Sequence, residues 1–162
     1  QYIEIAKLGN KPIKNTNFNI LEMLEELKSL MSAEIHRKKL SLIISCASQN
    51  LKMRADKFRL SKINLNLLAN AVKFTHSGTI EITCVTEPSL KISVKDTGIG
   101  IPEDKLVWIF EKFSKLSISG NNTGFSGLGI GLYLSKYLAN EMGGDILVKS
   151  TVDKGSEFTF LL

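Results

Sequence analysis

The sequence predicts an α+β fold: a two-layer α/β sandwich whose mixed, mostly antiparallel sheet is covered by three helices. Three observations predict it. Three long segments carry apolar residues at helical spacing, several short runs alternate apolar and polar residues, and neighbouring runs are joined by tight turns suited to antiparallel pairing. No internal repeat breaks this pattern into smaller units.

Residues 1–16 are polar, with Pro12 and several Asn and Lys, and read as a linker; residues 17–162 read as one domain. Ile20, Leu21, Leu24, Leu27 and Leu30 or Met31 recur with helical period, predicting a helix over 20–35. Leu40 to Ile44 reads as a strand, and Leu51-Lys52-Met53 as a short extended piece. Asp56 suits the N-cap of a second helix reaching about Thr75. Strands follow from Thr79 to Val85 and from Leu90 to Lys95, with Glu87-Pro88-Ser89 as the turn. After Asp96-Thr97-Gly98-Ile99-Gly100-Ile101-Pro102 comes a short helix around 103–110, then a Ser-, Asn- and Gly-rich stretch, 114–127, that reads as a mobile loop. A third long helix spans about Gly129 to Met142. Two last strands, Asp145–Ser150 and Ser156–Leu162, are joined by a turn at Asp153-Lys154-Gly155.

The composition excludes several classes. With 162 residues, 43% apolar and 23% charged, the chain suits one globular domain. It opens on Gln1 and reads as a piece of a longer protein; no apolar run of membrane-spanning length occurs, so no membrane contact is expected. The net charge of +5 is spread among acids without a binding motif, which argues against nucleic acid. Cys46 and Cys84 each end an apolar run and read as reduced thiols, so a cytoplasmic setting is expected.

Three segments suit a phosphate-bearing ligand. In the second helix Leu60, Ile63, Leu67, Ala71 and Phe74 form the core stripe, and Asn66, Asn70 and Lys73 fall together beside it. Two amides and an ammonium suit phosphate oxygens and hydrated Mg²⁺, although a solvated face gives the same spacing. Asp96 lies in phase with Leu90, Ile92 and Val94, so its carboxylate points inward and needs donors. An adenine amine supplies one; an Asx-turn ahead of Gly98 and Gly100 supplies another. Gly127, Gly129 and Gly131, directly before a helix, offer backbone N–H groups to phosphates. This segment has neither the Lys-Ser/Thr ending of a P-loop nor the preceding strand of a dinucleotide fold.

The succession NLLANAVKFT, DTGIGIP, IFEKF, GLGIGL, MGG and KGSEFTF closely resembles the ATP-binding catalytic domain of sensor histidine kinases, a branch of the superfamily with gyrase B, Hsp90 and the mismatch-repair ATPases. The resemblance covers about residues 17–162 and implies the ATP-binding fold of that superfamily, with ATP and Mg²⁺ as ligands. It implies that Asn70 binds Mg²⁺, that Asn66 and Lys73 face the phosphates, and that Phe74 borders the nucleotide. Asp96 would bond the adenine amine between Gly98 and Gly100, with Thr159 behind it. Phe110 and Phe113 would anchor a lid that Gly127, Gly129, Gly131 and Leu132 close. The sequence departs from the family pattern at Leu128, where Thr or Ser is usual, and at Asn64, where an aliphatic residue is usual.

In such kinases the γ-phosphoryl group passes to a histidine on separate dimerisation helices, and then to a response regulator. His36 and His76 lack that motif, so the chain is expected to bind Mg·ATP as a monomer without phosphorylating itself, and no catalytic residue is nominated within it. Two other classes remain: a degenerate nucleotide-binding module, and an ATPase or serine-kinase branch of the superfamily. The IFEKF segment speaks against the latter.

Overall fold

In the computed structural model, whose described residues are 11–48, 50–112 and 130–162, two alternating faces sort the chain into layers. Five strands form the main sheet in the order β2-β4-β5-β7-β6: β2 (Ser41–Cys46), β4 (Thr79–Val85), β5 (Lys91–Asp96), β6 (Asp145–Thr151) and β7 (Gly155–Leu161). One face carries Ile80, Ile82, Ile92, Val94, Ile146, Phe158 and Phe160, all buried. Against it pack α1 (Ile20–Leu30), α3 (Lys57–Phe74) and α5 (Gly131–Glu141). The predicted two-layer α+β sandwich is the fold observed.

The pairing is antiparallel except between β2 and β4. A parallel pair needs a crossover, which here runs through β3 (Lys52–Ala55) and α3. The extended piece at 51–53 is part of β3, which pairs antiparallel with β1 (Thr16–Asn19) in a second, two-stranded sheet. β1 has no counterpart in the predicted elements, because four residues hold too few alternations to register against a polar stretch.

The predicted helix over 20–35 divides at Met31, whose backbone leaves the helical region (φ −97°, ψ 0°). Packing explains the break. The fully buried stripe of α1 ends at Leu27, while α2 (Ser32–Arg37) only half-buries Ile35 against the core. Ser29 Oγ also donates to the Glu25 carbonyl, a back-bond that bends helices. The turn redirects the chain so that Lys38 Nζ reaches the carbonyls of Val72, Lys73 and Thr75 at 2.6, 2.9 and 3.2 Å. A cation there satisfies orphan carbonyls at the end of α3 and complements its dipole. The helix predicted around 103–110 is shorter, α4 (Glu103–Leu106), followed by turns.

The other end of α3 is fixed by charge. Asp56 Oδ1 accepts the Arg59 N–H at 2.9 Å, the cap expected from sequence, and Asp56 Oδ2 meets the Arg59 guanidinium at 2.6 Å. Both residues are 3% exposed. The pair also binds the preceding chain: Lys14 N–H donates to Asp56 Oδ2 and Arg59 donates to the Lys11 carbonyl. Residues 11–14 are therefore strapped to the start of α3. Asn64, on the buried face, donates to the Leu60 carbonyl, and its Oδ1 has no partner among the described residues.

Removing one partner of a buried ion pair strands the other charge. Arg59→Met is predicted to lower unfolding free energy by about 3–5 kcal/mol in urea titration, and a loss below about 1 kcal/mol would contradict the pairing. Burial pushes the Asp56 carboxyl up, but the Arg59 and Lys14 N–H bonds and the guanidinium outweigh it, so the folded value lies below the ordinary one. Its stabilisation is present above about pH 4 and is lost as pH falls through that lower folded value.

Candidate functional site

The end of β5, the last turns of α3, the start of β7 and the first turn of α5 converge on one cleft, lined by Asn70, Phe74, Asp96, Gly100, Leu132 and Ser156, among others. β5 alternates inward at Ile92, Val94 and Asp96, so the carboxylate enters the helix-covered layer and is 5% exposed. Its Oδ1 accepts the Gly98 N–H at 2.8 Å and the Ser156 N–H at 3.3 Å. No described donor engages Oδ2. Burial pushes the carboxyl above its ordinary value, partly offset by those two N–H bonds. The Asx-turn and the open acceptor, alternatives in the sequence, coexist on the two oxygens of one side chain.

The loop after Asp96 is clamped from both sides. The Ile99 N–H donates to the Phe74 carbonyl at the end of α3, and the Asp153 N–H donates to the Ile99 carbonyl from the β6–β7 turn. Gly100 has φ +69°, and a Cβ there would stand 2.0 Å from the Thr151 carbonyl oxygen, so both conformation and space demand glycine. Ser150 Oγ accepts the Ile101 N–H at 2.8 Å and lies 2.8 Å from Ser156 Oγ, tying the loop to both final strands.

On α3, Asn66, Asn70 and Lys73 share one half-buried flank. Asn70 lines the cleft. Asn66 instead joins the helices: its Nδ2 donates to Ser135 Oγ on α5 at 2.9 Å, and a Cβ on Gly131 would stand 2.3 Å from its Oδ1. Gly131 thus lets the first turn of α5 approach α3 closely. Ile130, at the N-cap of α5, gives no side-chain cap, so that turn presents uncapped N–H groups beside the flank. Lys73 Nζ lies 5.1 Å from the centroid of the Phe74 ring.

Phe110 makes an edge contact with Phe158 at 6.4 Å and carries Lys136 Nζ over its ring, so it is anchored to β7 and α5. Phe113, Gly127 and Gly129, with the 114–127 stretch, lie outside the described residues. Thr159 requires a correction. It lies on the opposite face of β7, paired with Ser93 and bonded to Ser93 Oγ at 2.8 Å, away from Asp96. Ser156 and Phe158 take the inward positions. The signal was present in the sequence, since Phe158 and Phe160 fix the inward parity of the strand and Ser156 shares it.

The cleft encloses about 40 Å³, room for water but not for a planar base without movement of its walls. Larger hollows lie along residues 11–16 with 56–61, and along β1 and β3. Neither contains Asp96 or the α5 N-terminus. Among the described residues no cluster of three His, Cys, Asp or Glu could hold a metal alone, and no helix is long and apolar enough to cross a membrane.

Comparison with known proteins matches residues 55–162 to the family described as histidine kinase-, DNA gyrase B-, and HSP90-like ATPase. The chain is 37% identical to hybrid signal transduction histidine kinase B of Dictyostelium discoideum over 95% of its own length and 8% of that protein's, so it spans a small part of that relative. Full-length ShkA, solved in complex with AMPPNP, superposes with TM-score 0.86 at 30% identity, over 99% of this chain and 34% of that one. ThkA, solved in complex with the response regulator protein TrrA, gives TM-score 0.78 at 26% identity, over 99% of this chain and 45% of that one.

The Asp96 carboxyl, raised on folding, contributes stability that is present below about pH 4 and is lost as pH rises through its folded value. At neutral pH its charge is a cost. Asp96→Asn keeps an oxygen for the two N–H groups, so its thermal midpoint at pH 7 is predicted to equal or exceed that of wild type. A clear drop would make the carboxylate a structural requirement.

Proposed function

The chain belongs to the histidine kinase-, DNA gyrase B-, and HSP90-like ATPase family as the catalytic domain of a protein-histidine kinase, and on that premise we propose that it binds Mg·ATP and presents the γ-phosphoryl group to a histidine on dimerisation helices of the same parent protein. The observation that carries this reading is the Asp96 carboxylate: buried, ionisable, lining the cleft, with one oxygen bonded by backbone and the other without a donor among the described residues. A group in that state needs a donor, and the exocyclic amine of adenine is a donor of the right kind. Full-length ShkA in complex with AMPPNP lends support as a relative that holds an ATP analogue.

The remaining residues divide the work by chemistry. Phe74, Ile101 and Leu132 give apolar surface to a flat base, and the clamped Ile99–Gly100 loop keeps backbone close to it. Phosphates belong at the first turn of α5, where uncapped N–H groups and the helix dipole favour anions. Lys73 adds positive charge from the flank of α3. Asn70 offers one amide oxygen to Mg²⁺, which prefers oxygen ligands and keeps several waters. With no acidic cluster beside it among the described residues, such a metal would take most of its ligands from phosphate and water. Bound there, Mg²⁺ would neutralise charge on the phosphates.

Phosphoryl transfer of this kind asks the protein mainly for position and electrostatic support. The attacking imidazole comes from outside the chain: His36 and His76 are both exposed, neither lines the cleft, and neither carries the phosphoacceptor motif. A response regulator receiver domain is the proposed acceptor downstream, in keeping with the ThkA complex with TrrA.

Calorimetric titration with AMPPNP tests the proposal. Wild type is predicted to bind more tightly with Mg²⁺ than without it, and Asn70→Ala to lose most of that metal dependence. Asp96→Asn, which sets an amide donor against the adenine amine, should weaken binding about 100-fold, the scale of ~3 kcal/mol for a mispaired buried group. No heat with wild type, or equal affinity in Asp96→Asn, would overturn the reading.

A further inference from the structure

Cys46 and Cys84 are the two cysteines of the chain, and the fold brings them together across a gap of 37 intervening residues. They are register partners at the ends of the parallel pair β2–β4. Both lie on the helix-covered face, Cys84 in phase with Ile80 and Ile82, Cys46 in phase with Leu42 and Ile44. Neighbouring strands lie about 4.7–4.9 Å apart, so register partners on one face fall within the Cα separation that a disulfide spans. Neither is bonded in the structure: Cys84 is buried and Cys46 half-buried at the sheet edge.

We propose that Cys46 and Cys84 form a redox-responsive thiol pair that a hydroperoxide converts into an intrachain disulfide across β2 and β4. Accessibility orders the steps. Burial pushes the Cys84 thiol up to about 12, so it stays protonated and shielded. Burial also raises the Cys46 thiol; the Cys84 thiol beside it lowers it and the Glu25 carboxylate of α1 raises it, but Cys46 is the less buried of the two residues. Cys46 sulfur attacks the peroxide, its O–O bond breaks, the distal oxygen leaves as an alcohol or water with the thiol proton, and a sulfenic acid forms. Cys84 sulfur then displaces the hydroxyl from Cys46, which departs as water with the Cys84 proton. Two thiols and one hydroperoxide thus give one disulfide, one water and the reduced leaving group, which is a second water when the oxidant is hydrogen peroxide.

The bond would join the two ends of the crossover that contains β3 and the whole of α3, including Asn66, Asn70 and Lys73. It forms at the end of β4 remote from the cleft, because Asp96 pairs with Ile80 while Cys84 pairs with Ile92. The cross-link would restrain α3 through its connections while leaving the cleft residues untouched, and closing so long a loop constrains the unfolded chain.

The reduced chain treated with hydrogen peroxide, quenched by alkylation and weighed intact decides the matter. The expected product is lighter by two hydrogens, alkylated at neither cysteine, yields a Cys46–Cys84 cross-linked peptide, and unfolds several degrees higher. Cys84→Ser should instead trap a dimedone-reactive sulfenic acid at Cys46, while Cys46→Ser should give none. Two alkylated cysteines after oxidation, a dimer linked between chains, or oxygen addition without the cross-link would each overturn the pair.

Discussion

A carboxylate buried at the end of a strand is the constraint around which this molecule is arranged. Asp96 is inward because the parity of β5 is set by Ile92 and Val94, and a charge in that position is costly unless hydrogen bonds meet it. Among the described residues the chain supplies two, and both fall on one oxygen. To bring them there it needs a tight loop at Gly98–Gly100, a β6–β7 turn pressed against that loop, and a β7 that starts directly beneath it. The cleft is the space those requirements leave.

α3 is the second organising element, because it holds the opposite wall at a fixed height. Its start is held by the Asp56–Arg59 pair and its end by Lys38 on three carbonyls. Between them Asn66 locks onto Ser135 of α5. A helix pinned at both ends and at its middle presents Asn70 and Lys73 in a constant direction. That is the property needed to position a phosphate rather than merely to attract one. The same strapping connects residues 11–14 to α3, so the segment entering the domain is joined mechanically to the helix lining the cleft.

Much of this was legible in the sequence, for definable reasons. The strand parities of β4 and β5 follow from alternation, and they placed Asp96 inward correctly. The cap at Asp56 and the core stripe of α3 were equally plain. Other features depend on tertiary partners. The break at Met31 falls where the fully buried stripe of α1 has ended, and β1 exists through pairing with β3. The role of Lys38 requires knowing where α3 ends. Thr159 was misplaced for another reason: its part in the site was carried over from a resemblance when the parity of β7, with Ser156, Phe158 and Phe160 inward, already contradicted it.

The central claim is that an adenine nucleotide occupies the cleft by completing the hydrogen bonding of Asp96. Amide ¹H–¹⁵N spectra of the chain titrated with Mg·AMPPNP test it most directly. The account predicts the largest shifts at Gly98 and Ser156, whose N–H groups share that carboxylate, and at the first turn of α5, with little change at Thr159 on the far face. Shifts confined to the hollow beside residues 11–14, or none at Gly98 and Ser156 on saturation, would contradict it.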